Sequence, residues 1–202
     1  MSANVGSGRT ALVVVDMQND FCHADGVFAG AGMTVSSIDE TVEVVNGLVE
    51  DARASDVPVV WVSMGWDDDQ EVGVLAERSL FLRHEGLRTG TWGHQLLDGL
   101  KVSPEDAFVA KKRFSAFYET ELSGLLERWG VRSLVVVGVR TDFCVESTVR
   151  DAFFRDYRVT VPRDAVAGYF PELHENSLRL MSTVFADVVD SKDVAFEVAV
   201  ST

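Results

Sequence analysis

Leu134-Val135-Val136-Val137-Gly138-Val139-Arg140-Thr141-Asp142-Phe143-Cys144-Val145-Glu146-Ser147-Thr148 opens with a continuous apolar run and closes with helical spacing. Four apolar residues in a row suit a strand buried on both faces. Beyond Cys144, the residues Val145, Val149, Ala152 and Phe153 share one helical face. The thiol therefore lies where a buried strand turns into a helix, close to the helix N-terminus. Unpaired backbone N–H groups and the helix dipole there favour thiolate over thiol. The same N–H groups can stabilise an oxyanion formed by attack on a carbonyl. Cys144 is thus a candidate nucleophile; the plainer alternative is a small, inert buried hydrophobe, the usual state of a buried cysteine.

The rest of the chain repeats this rhythm. Strands are predicted over residues 11–15, 58–64, 107–110, 133–137 and 158–161, with a weak last one over 186–189. Helices are predicted over 37–53, 119–129, 143–156 and 172–183, the second ended by Gly130. On the first of them Ile38, Val42, Val45, Leu48 and Val49 share a face. Residues 65–91, rich in charge and glycine, read as a long functional loop or lid. Alternating strands and helices predict an α/β fold: a three-layer αβα sandwich around a mainly parallel, roughly six-stranded, Rossmann-like sheet. Its sites are expected at the carboxyl ends of the strands. A dinucleotide fold needs a glycine-rich turn after the first strand. This chain has Asp16-Met17-Gln18-Asn19-Asp20-Phe21 there, which argues against a nucleotide cofactor. No repeat or linker divides the 202 residues. A single domain over 1–202 is expected, with residues 1–9 as a flexible polar arm.

A net charge of −14 opposes nucleic acid and anionic membrane surfaces, both of which select basic patches. It leaves an anionic small molecule open, because a local arginine outweighs the global field. No apolar stretch is long enough to span a bilayer, and the start lacks a basic and an apolar signal region. Two cysteines make no disulfide framework, although a Cys22–Cys144 bridge stays open. The cytoplasm is the expected compartment.

Two more strand ends carry charge. Asp16 closes the first strand, directly after an apolar run, where a carboxylate is costly unless paired or used. Asp20 nearby reads as a loop cap. Lys111 and Lys112 follow the third strand in Val109-Ala110-Lys111-Lys112-Arg113-Phe114-Ser115-Ala116-Phe117. Strand alternation lets only one of the two face the cleft. A thiol, a carboxylate and an ammonium from three strand ends can run acyl transfer. The carboxylate takes the thiol proton, and the thiolate attacks a carbonyl. The acid then protonates the departing amine.

These residues, with Val13-Val14-Val15 before Asp16, Gly90-Thr91-Trp92-Gly93, Asp151-Ala152 and Asp164-Ala165, resemble the isochorismatase-like cysteine hydrolase superfamily over residues 11–189. Within it they resemble the branch of N-carbamoylsarcosine and ureidoacrylate amidohydrolases. The resemblance implies Asp16 as general base, Lys111 rather than Lys112 as its partner, and Cys144 as nucleophile. It implies a cis peptide at Val139–Arg140, an oxyanion hole from the backbone N–H groups of Arg140 and Cys144, and a homodimer or homotetramer. Arg140 departs from the small residue common at its position.

Isochorismatases proper lack the cysteine, so Cys144 implies hydrolysis of a C–N bond in a small amide, N-carbamoyl or ureido compound. The expected route is a covalent acyl-enzyme that releases ammonia. Nicotinamidases carry an Asp-x-His…His metal set after the second strand; here that region reads Asp67-Asp68-Asp69-Gln70 and has no histidine pair. No metal and no cofactor are expected, and the acidic run, like His84 and His94, reads as solvated loop. Phe21, Trp66, Trp92 and Phe117 are candidate pocket walls. Arg83, Arg88 and Arg140 are candidate carboxylate clamps. Two other readings stand at this stage: an enol-ether hydrolase with Cys144 a bystander, and a non-catalytic binding or redox-sensing protein with a reactive thiol.

Overall fold

A computed structural model describes residues 9–196. The expected arm therefore lies outside the described residues except for Arg9, which opens the first strand. Strand β1 (Arg9–Val15) is followed by the one-turn helices α1 (Asn19–Cys22) and α2 (Val27–Gly30), then α3 (Ile38–Ala54) and β2 (Val59–Met64). Two further one-turn helices, α4 (Leu75–Arg78) and α5 (Leu80–His84), interrupt the stretch expected to be irregular. After them come β3 (Ala107–Lys111), α6 (Leu122–Arg128), β4 (Val131–Val139), α7 (Glu146–Phe153), β5 (Arg158–Pro162), β6 (Val166–Ala167), α8 (Pro171–Val184) and β7 (Asp187–Val189).

The sheet has seven strands in the order β3-β2-β1-β4-β5-β7, with the two-residue β6 pairing beside the end of β4. Every pairing is parallel. The seventh strand is the short β6, too brief to leave a periodic signature. Alternation along β1 explains the layers. Leu12 and Val14 pack with Val45, Leu48, Val49 and Ala52 of α3, while Ala11, Val13 and Val15 join a core that includes residues of α6, α7 and α8. Both faces of the central strands are thus covered, which is why they read as unbroken apolar runs.

Some boundaries moved for physical reasons. The helix after β4 was expected from residue 143, but Thr141–Val145 form a π-helical turn and the α-helix starts at Glu146. In that turn the Val145 N–H donates to Arg140 O at 3.0 Å, five residues back. On α7, Val149 and Ala152 are buried as expected, whereas Phe153 and its neighbour Phe154 lie exposed beside Phe185. The Phe153–Phe154 pair is therefore surface rather than core. No helix among the described residues is long and apolar enough to cross a membrane.

Gly138 is the point where β4 meets the end of β1. It lies opposite Val15 at a φ of 109°. A Cβ there would sit 2.2 Å from Val15 O and 2.8 Å from Val15 N. Both obstacles are backbone, so neither can swing aside. We expect Gly138→Ala to combine backbone strain with a clash and to destabilise the fold by about 2–4 kcal/mol. A thermal midpoint within a degree or two of the parent would show that β1 and β4 can separate at low cost.

Candidate active site

Three side chains from three strand ends meet at the carboxyl edge of the sheet. Asp16 follows β1 with a left-handed φ of 51°. Lys111 ends β3, level with Met64 of β2. Its ammonium lies 2.6 Å from Asp16 Oδ2, and both side chains are 0% exposed. Lys111 therefore reaches past β2 to the end of β1. Its Nζ also donates to Arg113 O at 3.1 Å. Lys112 turns the other way, exposed and ion-paired with Glu71, as strand alternation predicts. The Cys144 thiol is buried within reach of both Asp16 and Lys111. The contacts at Asp16 are close but not aligned, so both its oxygens lack a well-directed donor.

Charge in this buried cluster is strongly biased. Burial raises the Asp16 pKa above the ordinary carboxylate value, and the Lys111 charge offsets only part of that rise. Burial disfavours the Lys111 ammonium, but Asp16 and Cys144 outweigh it and leave its pKa raised. The Cys144 thiol is pushed up, first by burial and then by the Asp16 charge. Desolvation and a neighbouring anion thus act against the helix dipole, which by itself would favour thiolate. Both cysteines are free thiols, so no Cys22–Cys144 bridge forms. The peptide Val139–Arg140 is cis.

Cys144 opens onto a cavity of about 300 Å³. Phe21 and Trp66 line it, as does Arg140. Two other aromatics expected there sit elsewhere. Trp92 is 45% exposed and packs edge-on against His23. Phe117 is buried against Tyr157, with Arg155 over its ring. The remaining walls come from residues the sequence did not flag, chiefly Phe28, Phe81, Phe114 and Phe143. They sit on short helices and turns, where no periodicity marks a facing side. Of the arginines, Arg88 bonds Asp69 and the carbonyls of Gly86 and Arg83, and so braces its own loop. Arg83 is not on the wall. Arg140 pairs with Asp142 at 2.8 Å and is held between the rings of Phe143 and Tyr169.

Several positioning residues escaped sequence reasoning. The Thr148 hydroxyl donates to Cys144 O at 2.7 Å and accepts from Ala116 N at 3.0 Å, tying the turn that carries Cys144 to the loop after β3. Ser177 Oγ donates to Thr141 O at 3.1 Å, and Thr141 Oγ1 meets His174 Nδ1 at 2.8 Å, so α8 braces the same turn. The buried Gln18 side chain clasps Met64 through both N–H and C=O. Asp20 is the loop cap expected: its carboxylate accepts from Val27 N and Leu87 N. A Cβ at Gly93 would fall 2.2 Å from that carboxylate, which accounts for the Gly90-Thr91-Trp92-Gly93 turn. Asp68 and Asp69 hold loop N–H groups, His84 and Arg88. Among the described residues, no group of three or more His, Cys, Asp or Glu side chains is placed to hold a metal ion.

The profile of the Isochorismatase domain matches residues 10–193. The ureidoacrylate amidohydrolase RutB of Methylorubrum extorquens AM1 is 39% identical over 95% of this chain and 83% of its own length. N-carbamoylsarcosine amidase from Thermoplasma acidophilum superposes with a TM-score of 0.74 at 31% identity, covering 92% of this chain and 98% of that one. A cysteine hydrolase from Pseudomonas syringae pv. phaseolicola gives a TM-score of 0.84 at 26% identity, covering 92% and 90%.

If Asp16 must be ionised to accept a proton, activity falls as pH drops through its raised pKa. We expect the acid limb of a kcat/KM profile above the usual carboxylate range of about 4. Lys111→Met, which removes the stabilising ammonium, should move any residual limb still higher. A wild-type limb at or below the usual range would show that Asp16 is not the titrating base.

Proposed function

The chain belongs to the isochorismatase family, and from that premise we propose that it is a cysteine hydrolase of small amide, N-carbamoyl or ureido compounds, with Asp16, Lys111 and Cys144 as its catalytic residues. As an enzyme it is a hydrolase acting on linear C–N amide bonds. The observation that carries the cysteine mechanism is the fully buried Lys111–Asp16 ion pair, 2.6 Å across, directly behind a thiol that opens onto an apolar cavity. A structural ion pair has no need of a thiol in reach, and a bystander thiol has no need of a buried base.

The steps follow from the charges. Substrate enters the cavity with its carbonyl against Cys144. Asp16, held ionised by Lys111 yet more basic than a solvated carboxylate, takes the thiol proton. The thiolate forms only at this moment, since in the free enzyme burial keeps the sulfur protonated. Sγ bonds to the carbonyl carbon, and the oxygen takes up the negative charge. The N–H groups of Arg140 and Cys144 receive that oxygen; among the described residues the Arg140 N–H enters no backbone hydrogen bond. Asp16 returns its proton to the departing nitrogen, and ammonia leaves. Water, deprotonated by the same carboxylate, then attacks the acyl–sulfur carbon and expels the thiolate, which takes back the proton. A ureido substrate yields a carbamic acid in this way, which breaks down to amine and CO2. Lys111 supplies positive potential throughout and transfers no proton.

The two free thiols suit a reducing compartment such as the cytoplasm. The exposed Phe153 and Phe154 offer apolar surface for a homodimer or homotetramer.

Ammonia release from a panel of carbamoyl, ureido and simple amide compounds tests the chemistry, with Cys144→Ala as the blank. Losing one oxyanion-stabilising group costs about 10²–10³ in rate. Lys111→Ala also leaves Asp16 protonated, so we expect a loss of at least that size with the fold retained. Lys112→Ala, which removes only a surface pair, should stay within about twofold. An active Lys111→Ala enzyme would remove the lysine from the mechanism. Chelation should leave turnover intact; loss restored by added zinc or iron would point to a metal-assisted hydrolysis instead.

A further inference from the structure

The cavity in front of Cys144 has an unusual balance of surfaces. One side carries Phe21 stacked on Phe28 at 4.8 Å, with Phe81 edge-on to Phe28 at 5.3 Å. The other carries Phe114 edge-on to Phe143 at 5.1 Å. Met33, Met64, Leu75, Leu82 and Leu87 fill the gaps between them. The protein bears a net charge of −14, yet no Asp or Glu lines this cavity. Its charged wall residues are two arginines, Arg140 and Arg78. Arg140 is already committed to Asp142 and to two rings. Arg78, the last residue of α4, enters no ion pair or side-chain hydrogen bond among the described residues. Arg78, itself exposed, is thus a wall cation without such a partner among the described residues.

Accepting the amide-hydrolase chemistry above, we propose that the preferred substrate is an N-carbamoyl or ureido acid bearing one bulky apolar group, an aromatic ring or branched alkyl chain, whose carboxylate is received by Arg78. The volume of about 300 Å³ accepts one ring and the reacting carbonyl. A small, wholly polar ureido acid would leave those aromatic walls unfilled, so their apolar area would add nothing to its binding. Arg78 sets specificity through the far end of the substrate, with a planar fork matched to a carboxylate. Arg140, its fork occupied, supplies the reacting centre with backbone only. The absence of acidic wall residues lets one arginine draw an anion into an acidic protein.

Three compounds separate the contributions: N-carbamoylphenylalanine, phenethylurea, which lacks its carboxylate, and N-carbamoylglycine, which lacks its ring. Calorimetric binding to the Cys144→Ala protein reads the cavity without turnover, and ammonia release by the parent enzyme reads the chemistry. We expect N-carbamoylphenylalanine to bind about 10- to 100-fold more tightly than either partner, as suits one buried ring or one charged hydrogen-bonded pair. On the Cys144→Ala background, Arg78→Met should erase its advantage over phenethylurea and change phenethylurea itself by less than about twofold. In turnover the same change should raise KM for the acid and spare kcat. N-carbamoylglycine binding as tightly as N-carbamoylphenylalanine would overturn the assignment of the ring, and equal losses on acid and neutral urea would overturn that of Arg78, even with ammonia released. The expected binding order with no ammonia from any compound would instead leave the cavity assignment standing and overturn the proposed chemistry.

Discussion

The site rests on one buried ion pair. Asp16 and Lys111 come from strands that do not touch, since β2 lies between β1 and β3. Taking two opposite charges out of water is repaid only by close approach, and removing one partner leaves the other stranded at a cost of about 3–5 kcal/mol. The sheet register is what makes the approach close. Val15 pairs with Val62, and Lys111 with Met64, so one lysine side chain can lie across the end of β2 to the residue after Val15. A slip of one residue would turn Lys111 to the opposite face and put Lys112 in the pocket, next to the wrong turn. The parallel pairing that builds the core is therefore also what brings Asp16 and Lys111 together.

The same burial that raises the pKa of Asp16 raises that of Cys144. Burial beside a carboxylate biases a thiol towards its protonated form. On the mechanism proposed above, the proton moves when a carbonyl is present to accept the sulfur's electrons and N–H groups to accept the resulting charge. The resting site therefore disfavours charge on the sulfur. The braces around it serve this arrangement. Thr148 holds the Cys144 carbonyl, and Ser177 with His174 holds Thr141, so the turn carrying the sulfur is fixed from two helices.

Much of this was legible in the sequence because charge interrupts apolar runs so sharply. Asp16 and Lys111 end continuous hydrophobic strands, and Cys144 follows another within seven residues of Val137. The strand and helix rhythm fixed the layers for the same reason. The cavity walls were not legible. Phe28, Phe81, Phe114 and Phe143 lie in short helices and turns, where neither a period of two nor of 3.6 residues assigns a facing side. Trp92 and Phe117 illustrate the converse: sequence proximity to site motifs says nothing of the direction a ring points. The state of the thiol was hidden too, because helix position is local while desolvation is set by the whole assembly.

The division between sheet and loop has a further consequence. Every group proposed to move a proton or an electron pair hangs from a strand end or from the turn after β4. Leu75, Arg78, Phe81 and Leu82, which line the cavity beside Cys144, all belong to α4 and α5, two single turns in the connection between β2 and β3. The segment carrying α4 and α5 adds no strand to the sheet; the connection's isolated bridges join Trp66 to Arg88 and Leu96 to Gln18. Replacement, lengthening or shortening of those turns leaves the register of β1, β2 and β3 untouched. The cavity wall can therefore be reshaped through the nine residues of α4 and α5 while the arrangement of Asp16, Lys111 and Cys144 is kept.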